Sequence, residues 1–233
     1  MSGYWGTPVT QPRAVMELHN FYKGEELFVL GTGPSLRAVP IGVLGMLDKE
    51  YTFTTNKLAR WEECPFTPSF HGLSEKEDMP LLDSPLYQFG SGTKRFACAW
   101  APVEAEGWQW VAKAPDDIGI WKDGMVGLDA DLPPLPTASS TPITLGVQLG
   151  VWMGFDPIYL LGCDNTASGQ VFDGAETRDH PHPKRTESSV RRCAEDLKAA
   201  GRSLIDCTEG GMLNRSGAVP YKPLEDVFGI RAI

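Results

Sequence analysis

The stretch that decides the fold is Glu26-Leu27-Phe28-Val29-Leu30-Gly31-Thr32-Gly33-Pro34-Ser35-Leu36. Leu27 to Leu30 is a short apolar run that stops at Gly31, as a buried strand does. A strand that runs into a glycine-rich turn is a common place to hold a phosphate or a ribose. Glycine lets the backbone approach, and the free N–H groups of the turn point at the anion. The turn is not the full dinucleotide fingerprint, because position 36 is Leu where a third glycine belongs. Taken alone, the turn reads equally well as a tight structural corner.

Working outward, Tyr51-Thr52-Phe53-Thr54-Thr55 reads as a second strand ending at Asn56, and Pro68 to Gly72 as a third with His71 near its end. In open α/β sheets ligands sit beyond the carboxyl ends of the strands, so Asn56 and His71 are candidate lining residues. Thr144 to Met153 carries Leu145, Val147, Leu149, Val151 and Trp152 with small residues between, which fits a buried helix closed by Gly154. Pro157 to Leu161 is then a buried strand, stopped by Gly162 and followed by Asp164. Glu187 to Ala200 is an amphipathic helix with Val190, Cys193 and Leu197 on one face. Ser203 to Cys207 is the last strand, and Leu224 to Phe228 a short closing helix.

Strands and helices alternate at both ends of the chain. The expected fold is therefore α/β, a single Rossmann-like domain over residues 1–233 with a mainly parallel sheet. Residues 75–140 break the rhythm. They hold Trp100, Trp108, Trp110 and Trp121, a strand-like Gly107-Trp108-Gln109-Trp110-Val111, and a Pro/Ser/Thr-rich loop from Asp129 to Pro142. They read as an irregular, partly β insertion or lid, whose tryptophans fill a thin core or recognise an acceptor.

The composition narrows the function. Over 233 residues, 21 Lys and Arg stand against 30 Asp and Glu, a net charge of −9, which argues against a broad nucleic-acid footprint. Five cysteines, an odd number with no CxxC pair, argue against a disulfide framework or a zinc ribbon. No apolar run approaches the ~20 residues of a membrane span, and residues 1–17 lack a signal-peptide pattern. A cytoplasmic protein without a membrane span is expected.

Two segments together resemble a known superfamily. The first is Leu27 to Leu36 followed by Thr54-Thr55-Asn56. The second is Thr141-Pro142-Ile143-Thr144 followed by Leu149 to Asp164. They are similar to a Rossmann-like transferase superfamily that contains the bacterial sialyltransferases using CMP-sialic acid and the 6-hydroxymethylpterin diphosphokinase-like proteins. The resemblance covers most of the chain from about Glu26 to Phe228 and is weakest over residues 75–135.

The resemblance implies a nucleotide-sugar-dependent glycosyltransferase. Gly31, Thr32, Gly33, Pro34, Ser35 and Asn56 would hold the nucleotide. Thr141 and Thr144 would meet the donor's charged groups, and Gly162 and Asp164 would lie by the base and ribose. His182, in His182-Pro183-Lys184-Arg185-Thr186-Glu187, would be the general base on the acceptor hydroxyl. Two departures stand out. Thr32 occupies the place of the family's usual Asn, and no tyrosine lies between Asn165 and Phe172 to assist the departing phosphate. Arg178, Lys184 or Arg185 would take that charge-neutralising role.

The residues themselves suit glycosyl transfer: a nucleotide pocket, a His near its ordinary pKa as base, and amides, hydroxyls and cations for the leaving phosphate. The expected ligands are a CMP-sugar or another nucleotide-sugar donor and an unassigned acceptor, with no tightly bound cofactor and no metal. The alternative is an ATP- and Mg²⁺-dependent pyrophosphokinase, with Asp164, Asp173 and Asp179 on the metal. A second alternative is a nucleotide-binding module without catalysis. His180 and His182, flanked by prolines, are weak evidence for a metal hydrolase. There is no GxSxG for a serine nucleophile.

Overall fold

The computed structural model describes residues 13–74, 82, 84, 89, 92–99, 105–112, 141–165, 170–171 and 183–230. In chain order the described elements start with helix α1 (Arg13–Met16), strand β1 (Leu27–Leu30), helix α2 (Ile41–Leu44), β2 (Thr52–Thr55), β3 (Phe70–Leu73), β4 (Lys94–Ala99) and β5 (Trp108–Ala112). They continue with α3 (Pro142–Met153), β6 (Ile158–Leu161), α4 (Pro183–Ala199), β7 (Leu204–Asp206), α5 (Met212–Ser216) and α6 (Leu224–Val227). Short 3-10 helices follow the ends of β1 and β2, at Pro34–Ala38 and Asn56–Arg60.

All seven strands form one sheet in the order β5-β4-β3-β2-β1-β6-β7. Every pairing in it is parallel. The chain steps outward from β1 to β5, then returns through α3 to lay β6 on the other flank of β1. The strand order therefore reverses between β1 and β6, and the crevice beyond their carboxyl ends is where such sheets bind ligands.

A parallel sheet needs cover on both faces, which is why β1 and β6 are continuous apolar runs. Side chains alternate across them. Leu27, Val29, Phe53, Phe70 and Phe96 belong to the core that includes α3 and α4. Phe28, Leu30, Leu36, Leu44, Leu47 and Leu58 form the core of the opposite face.

Helix α3 is the central pillar, buried from Ile143 to Met153. Gly146 and Gly150 let it lie close on the sheet. A Cβ at Gly146 would sit 2.7 Å from Val29 Cγ1, and one at Gly150 would sit 2.6 Å from Leu27 Cδ2. The helix ends at Gly154, whose left-handed φ of 98° reverses the chain. Its last carbonyls are taken up by Asn20 N on Trp152 O at 3.0 Å and Tyr22 N on Met153 O at 2.8 Å. Arg202 adds a cation there, donating to Val151 O at 3.2 Å and to Phe155 O.

The sheet is larger than the sequence reading expects. The Trp108 segment is strand β5 of the main sheet, in register with β4 from Arg95↔Trp108 to Ala99↔Ala112. It extends the main sheet beyond β4. Strand β4 carries Lys94 and Arg95 at its start, so it shows neither a clean alternation nor an apolar run. Helix α4 starts at Pro183, four residues ahead of the expected Glu187. Trp100, Trp121 and the Asp129-to-Ser140 loop lie outside the described residues.

Close packing of α3 on β1 sets a test. Gly146→Ala raises intrinsic helix propensity by up to about 1 kcal/mol. It also drives a methyl into Val29 and Phe53, an overpacking that costs about 1–3 kcal/mol. The net expectation is a lower Tm, measured by thermal unfolding.

Candidate functional site

The site is built where the turns after β1 and β6 touch. Gly31 N donates to Leu161 O at 2.8 Å and Gly33 N to Gly162 O at 2.8 Å, so the two turns lie backbone on backbone. A Cβ at Gly31 would fall 2.5 Å from Gly162 O, and one at Gly33 would run into Asp164 Oδ2. Gly162 adopts φ 61° with Leu36 packed over it. The glycines of this corner are thus required by the contact between the two turns, whatever else binds there.

Two side chains close the same corner. Ser35 Oγ donates to Asp164 Oδ2 at 2.7 Å, and Ser35 N approaches that oxygen at 3.4 Å. Burial pushes the Asp164 carboxyl above its ordinary range, and the two Ser35 bonds oppose the shift. Pro34 opens the 3-10 helix that carries Ser35, and Thr32 O accepts from Val171 N at 2.8 Å. A cavity of about 200 Å³ adjoins the corner, between Ser35, Leu36, Gly162, Cys207, Tyr221 and Leu224.

The amino end of α3 faces this corner, because Ile143 Cδ1 lies 3.1 Å from where a Gly31 Cβ would be. Thr141 and Thr144 form a capping box there. Thr144 N donates to Thr141 Oγ1 and Thr141 N to Thr144 Oγ1, each at 3.3 Å. Pro142 has no N–H, and Thr144 N and Leu145 N are bonded to Thr141, so the Ile143 amide and the helix dipole give the corner its positive edge.

Asn56 stands one strand further out. It is buried, holds φ 45°, and accepts Ser74 N on Oδ1 at 3.2 Å. It therefore ties the end of β2 to the end of β3. Thr55 Oγ1 donates to Leu30 O at 2.9 Å and ties β2 to β1. His71 is placed differently: it is fully buried within β3, with Nδ1 2.9 Å from Thr54 Oγ1 and its ring against Phe89 and Trp108. Burial, then the Arg95 charge, lowers its pKa to about 3, so the imidazole is neutral at ordinary pH.

Of the sequence-predicted residues, the structure brings Gly31, Thr32, Gly33, Pro34 and Ser35 together with Gly162 and Asp164, and sets Thr141 and Thr144 beside them. Lys184 and Arg185 lie in the first turn of α4. His182 and Arg178 lie outside the described residues, as do His180, Asp173 and Asp179. Among the described residues no group of three or more His, Cys, Asp or Glu side chains is placed to hold a metal ion. No helix among them is long and apolar enough to cross a membrane.

Sequence reasoning passes over Asp206 and Thr208. Asp206 ends β7 with 0% exposure; its Oδ1 accepts Thr208 N at 2.9 Å, and among the described residues its Oδ2 has no hydrogen-bond partner. Burial pushes its pKa up to about 6, and the neighbouring Asp164 charge adds to the shift. The available signal was the one that singled out Asn56 and Asp164, a polar residue closing an apolar strand.

The same architecture occurs in solved glycosyltransferases. MAf glycosyltransferase from Magnetospirillum magneticum AMB-1 superposes with a TM-score of 0.53 at 17% identity, over 94% of this chain and 39% of that one. The sialyltransferase CstII from Campylobacter jejuni, solved with cytidine-5'-monophosphate, gives 0.52 at 12% identity, over 87% of this chain and 86% of that one. CstII solved with CMP-3FNeuAc gives 0.51 at 12% identity, over 86% and 87%. The fold is shared with these transferases. The chain spans well under half the length of the MAf protein. No family model and no curated protein matches the sequence. At such identities the likeness concerns the fold, and the chemistry rests on the site.

The buried Asp206 makes stability depend on pH. Its folded pKa lies above the ordinary carboxylate value, so its contribution is complete below about pH 4 and is lost as pH rises towards about 6. Asp206→Asn removes that loss. The variant is expected to melt a few degrees above wild type at pH 7.5, on the order of 2 kcal/mol, with the gain vanishing at pH 4. Thermal melts at the two pH values check it.

Proposed function

We propose that the chain is a glycosyltransferase that uses a nucleotide-activated sugar donor. The observation that carries the proposal is the corner where the Gly31–Ser35 turn meets the Gly162–Asp164 turn, at the strand-order reversal of a parallel sheet and beside the amino end of α3. With the Gly31 and Gly33 amides committed to the facing turn, such a corner offers the amino end of α3 to phosphate and a carboxylate to ribose hydroxyls. The shared fold of CstII, a sialyltransferase solved with cytidine-5'-monophosphate, supports the same assignment.

In this reading the nucleotide lies over Gly31 to Ser35, with Asp164 accepting from its ribose and Asn56 at the neighbouring strand end. The phosphate faces the amino end of α3, at the Ile143 amide beside Thr141 and Thr144. Its charge is neutralised as it leaves by Arg178, Lys184 or Arg185, since no tyrosine lies between Asn165 and Phe172 to do so. His182 takes the proton from the attacking acceptor hydroxyl, whose oxygen bonds to the sugar's anomeric carbon while the bond to the phosphate oxygen breaks. The neutral, enclosed His71 packs the sheet beneath the site.

A thermal-shift series with CMP, UDP, GDP, ADP, ATP and CMP-sialic acid, each with and without Mg²⁺, tests the reading. One nucleotide is expected to raise the Tm without metal, by roughly 2.7 kcal/mol of stabilisation at a hundredfold excess over Kd. Asp164→Ala and Asn56→Ala are expected to abolish that shift. His182→Asn keeps it but lowers turnover by about 10²–10⁴-fold. A shift that requires both ATP and Mg²⁺ points to pyrophosphoryl transfer. No shift with any nucleotide overturns the proposal.

A further inference from the structure

We infer that Thr208 is the positioning residue of the donor site, acting on it through the Cys163 amide. The inference rests on the donor-binding reading above, but its structural half is testable without any ligand.

The Gly162–Asp164 turn must hold Gly162 at φ 61° and aim the Asp164 carboxylate at Ser35. From the β1 side one bond holds its backbone, Gly33 N to Gly162 O at 2.8 Å, while Ser35 holds only the Asp164 side chain. Among the described residues, its other backbone fixings come from the segment after β7. Cys163 N donates to Thr208 Oγ1 at 3.1 Å, and Met212 N donates to Asp164 O at 2.9 Å.

Thr208 is 2% exposed and itself held in place. Its N–H donates to Asp206 Oδ1 at 2.9 Å. A hydroxyl has one proton and two lone pairs, and one of the lone pairs receives the Cys163 N–H. Asp206 is fixed in turn through its backbone, N to Pro220 O at 2.8 Å and O from Lys222 N at 3.0 Å. The carboxyl end of β7 thus fixes Thr208 through Asp206, and Thr208 in turn holds the amide between Gly162 and Asp164.

Valine fills the space of threonine but offers no acceptor, so Thr208→Val leaves the Cys163 N–H buried without a partner. Serine keeps the hydroxyl. In the ligand-free protein, hydrogen exchange at the Cys163 amide is expected to quicken by about tenfold or more in Thr208→Val and to stay near wild type in Thr208→Ser. With CMP as the probe, or whichever nucleotide the series above selects, Thr208→Val is expected to raise Kd by about tenfold, with Thr208→Ser restoring it. Val15→Ala, in the core beneath α3 and away from the corner, lowers Tm but leaves Kd unchanged, which separates positioning from general destabilisation. Thr208→Ala provides the same comparison should the valine variant not fold. Unchanged Cys163 exchange in the valine variant, or serine failing to restore affinity, overturns the inference. If wild type binds no nucleotide, the donor reading falls, and the exchange result alone decides whether the clamp exists.

Discussion

The structure depends on one contact, the backbone-on-backbone approach of the turns that leave β1 and β6. Gly33 N on Gly162 O at 2.8 Å fixes their separation, and no side chain larger than hydrogen fits at Gly31 or Gly33 without displacing Gly162 O or Asp164. Because the strand order reverses at this seam, the contact joins the two halves of the sheet at the point where their helices diverge. The polar ends of both strands are thereby brought together, and Ser35 and Asp164 meet as a consequence of the sheet's topology.

The fold supports the seam from beneath. α3 lies close on β1 through Gly146 and Gly150, and its capped amino end is delivered beside Gly31. Apolar side chains cover both faces of the central strands, so polar groups are confined to the strand ends and to a few buried positions that carry their own partners. Thr54 with His71, Thr55 with Leu30 O, and Asn56 with Ser74 N stitch β1, β2 and β3 together below the crevice. The carboxyl ends of these three strands are therefore tied to one another by side-chain hydrogen bonds.

Much of this was legible in the sequence because burial on both faces writes an unambiguous pattern. Leu27–Leu30 and Ile158–Leu161 are unbroken apolar runs stopped by glycine, and α3 is apolar with small residues at the sheet contact. The two strands at the β5 flank escape that rule. β4 begins with Lys94 and Arg95, and β5 looks like an isolated tryptophan-rich segment until its partner is known, so neither could be placed in the main sheet from local pattern. In the site, Gly31 to Ser35 and Gly162 to Asp164 were readable as strand-end turns, but the reason for the glycines was not, since it lies in a contact between segments more than 125 residues apart in sequence. Asp206 and Thr208 went unread for the same reason: their partners are Cys163 and Pro220, and hydrogen bonds between loops leave no periodic trace. His71 sits inside a strand, where a polar letter does not distinguish a lining residue from one enclosed by Thr54, Phe89 and Trp108.

The central claim is that a nucleotide occupies the seam between the β1 and β6 turns. The most direct test is to follow backbone amide shifts in the ¹⁵N-labelled protein while titrating CMP, followed by the other nucleotides. The account predicts saturable shifts concentrated at Gly31, Gly33, Ser35, Gly162 and Asp164, with Leu27 and Ile158 at the opposite edge of the sheet unmoved. Shifts centred on any other part of the chain, or none with any nucleotide, would contradict it.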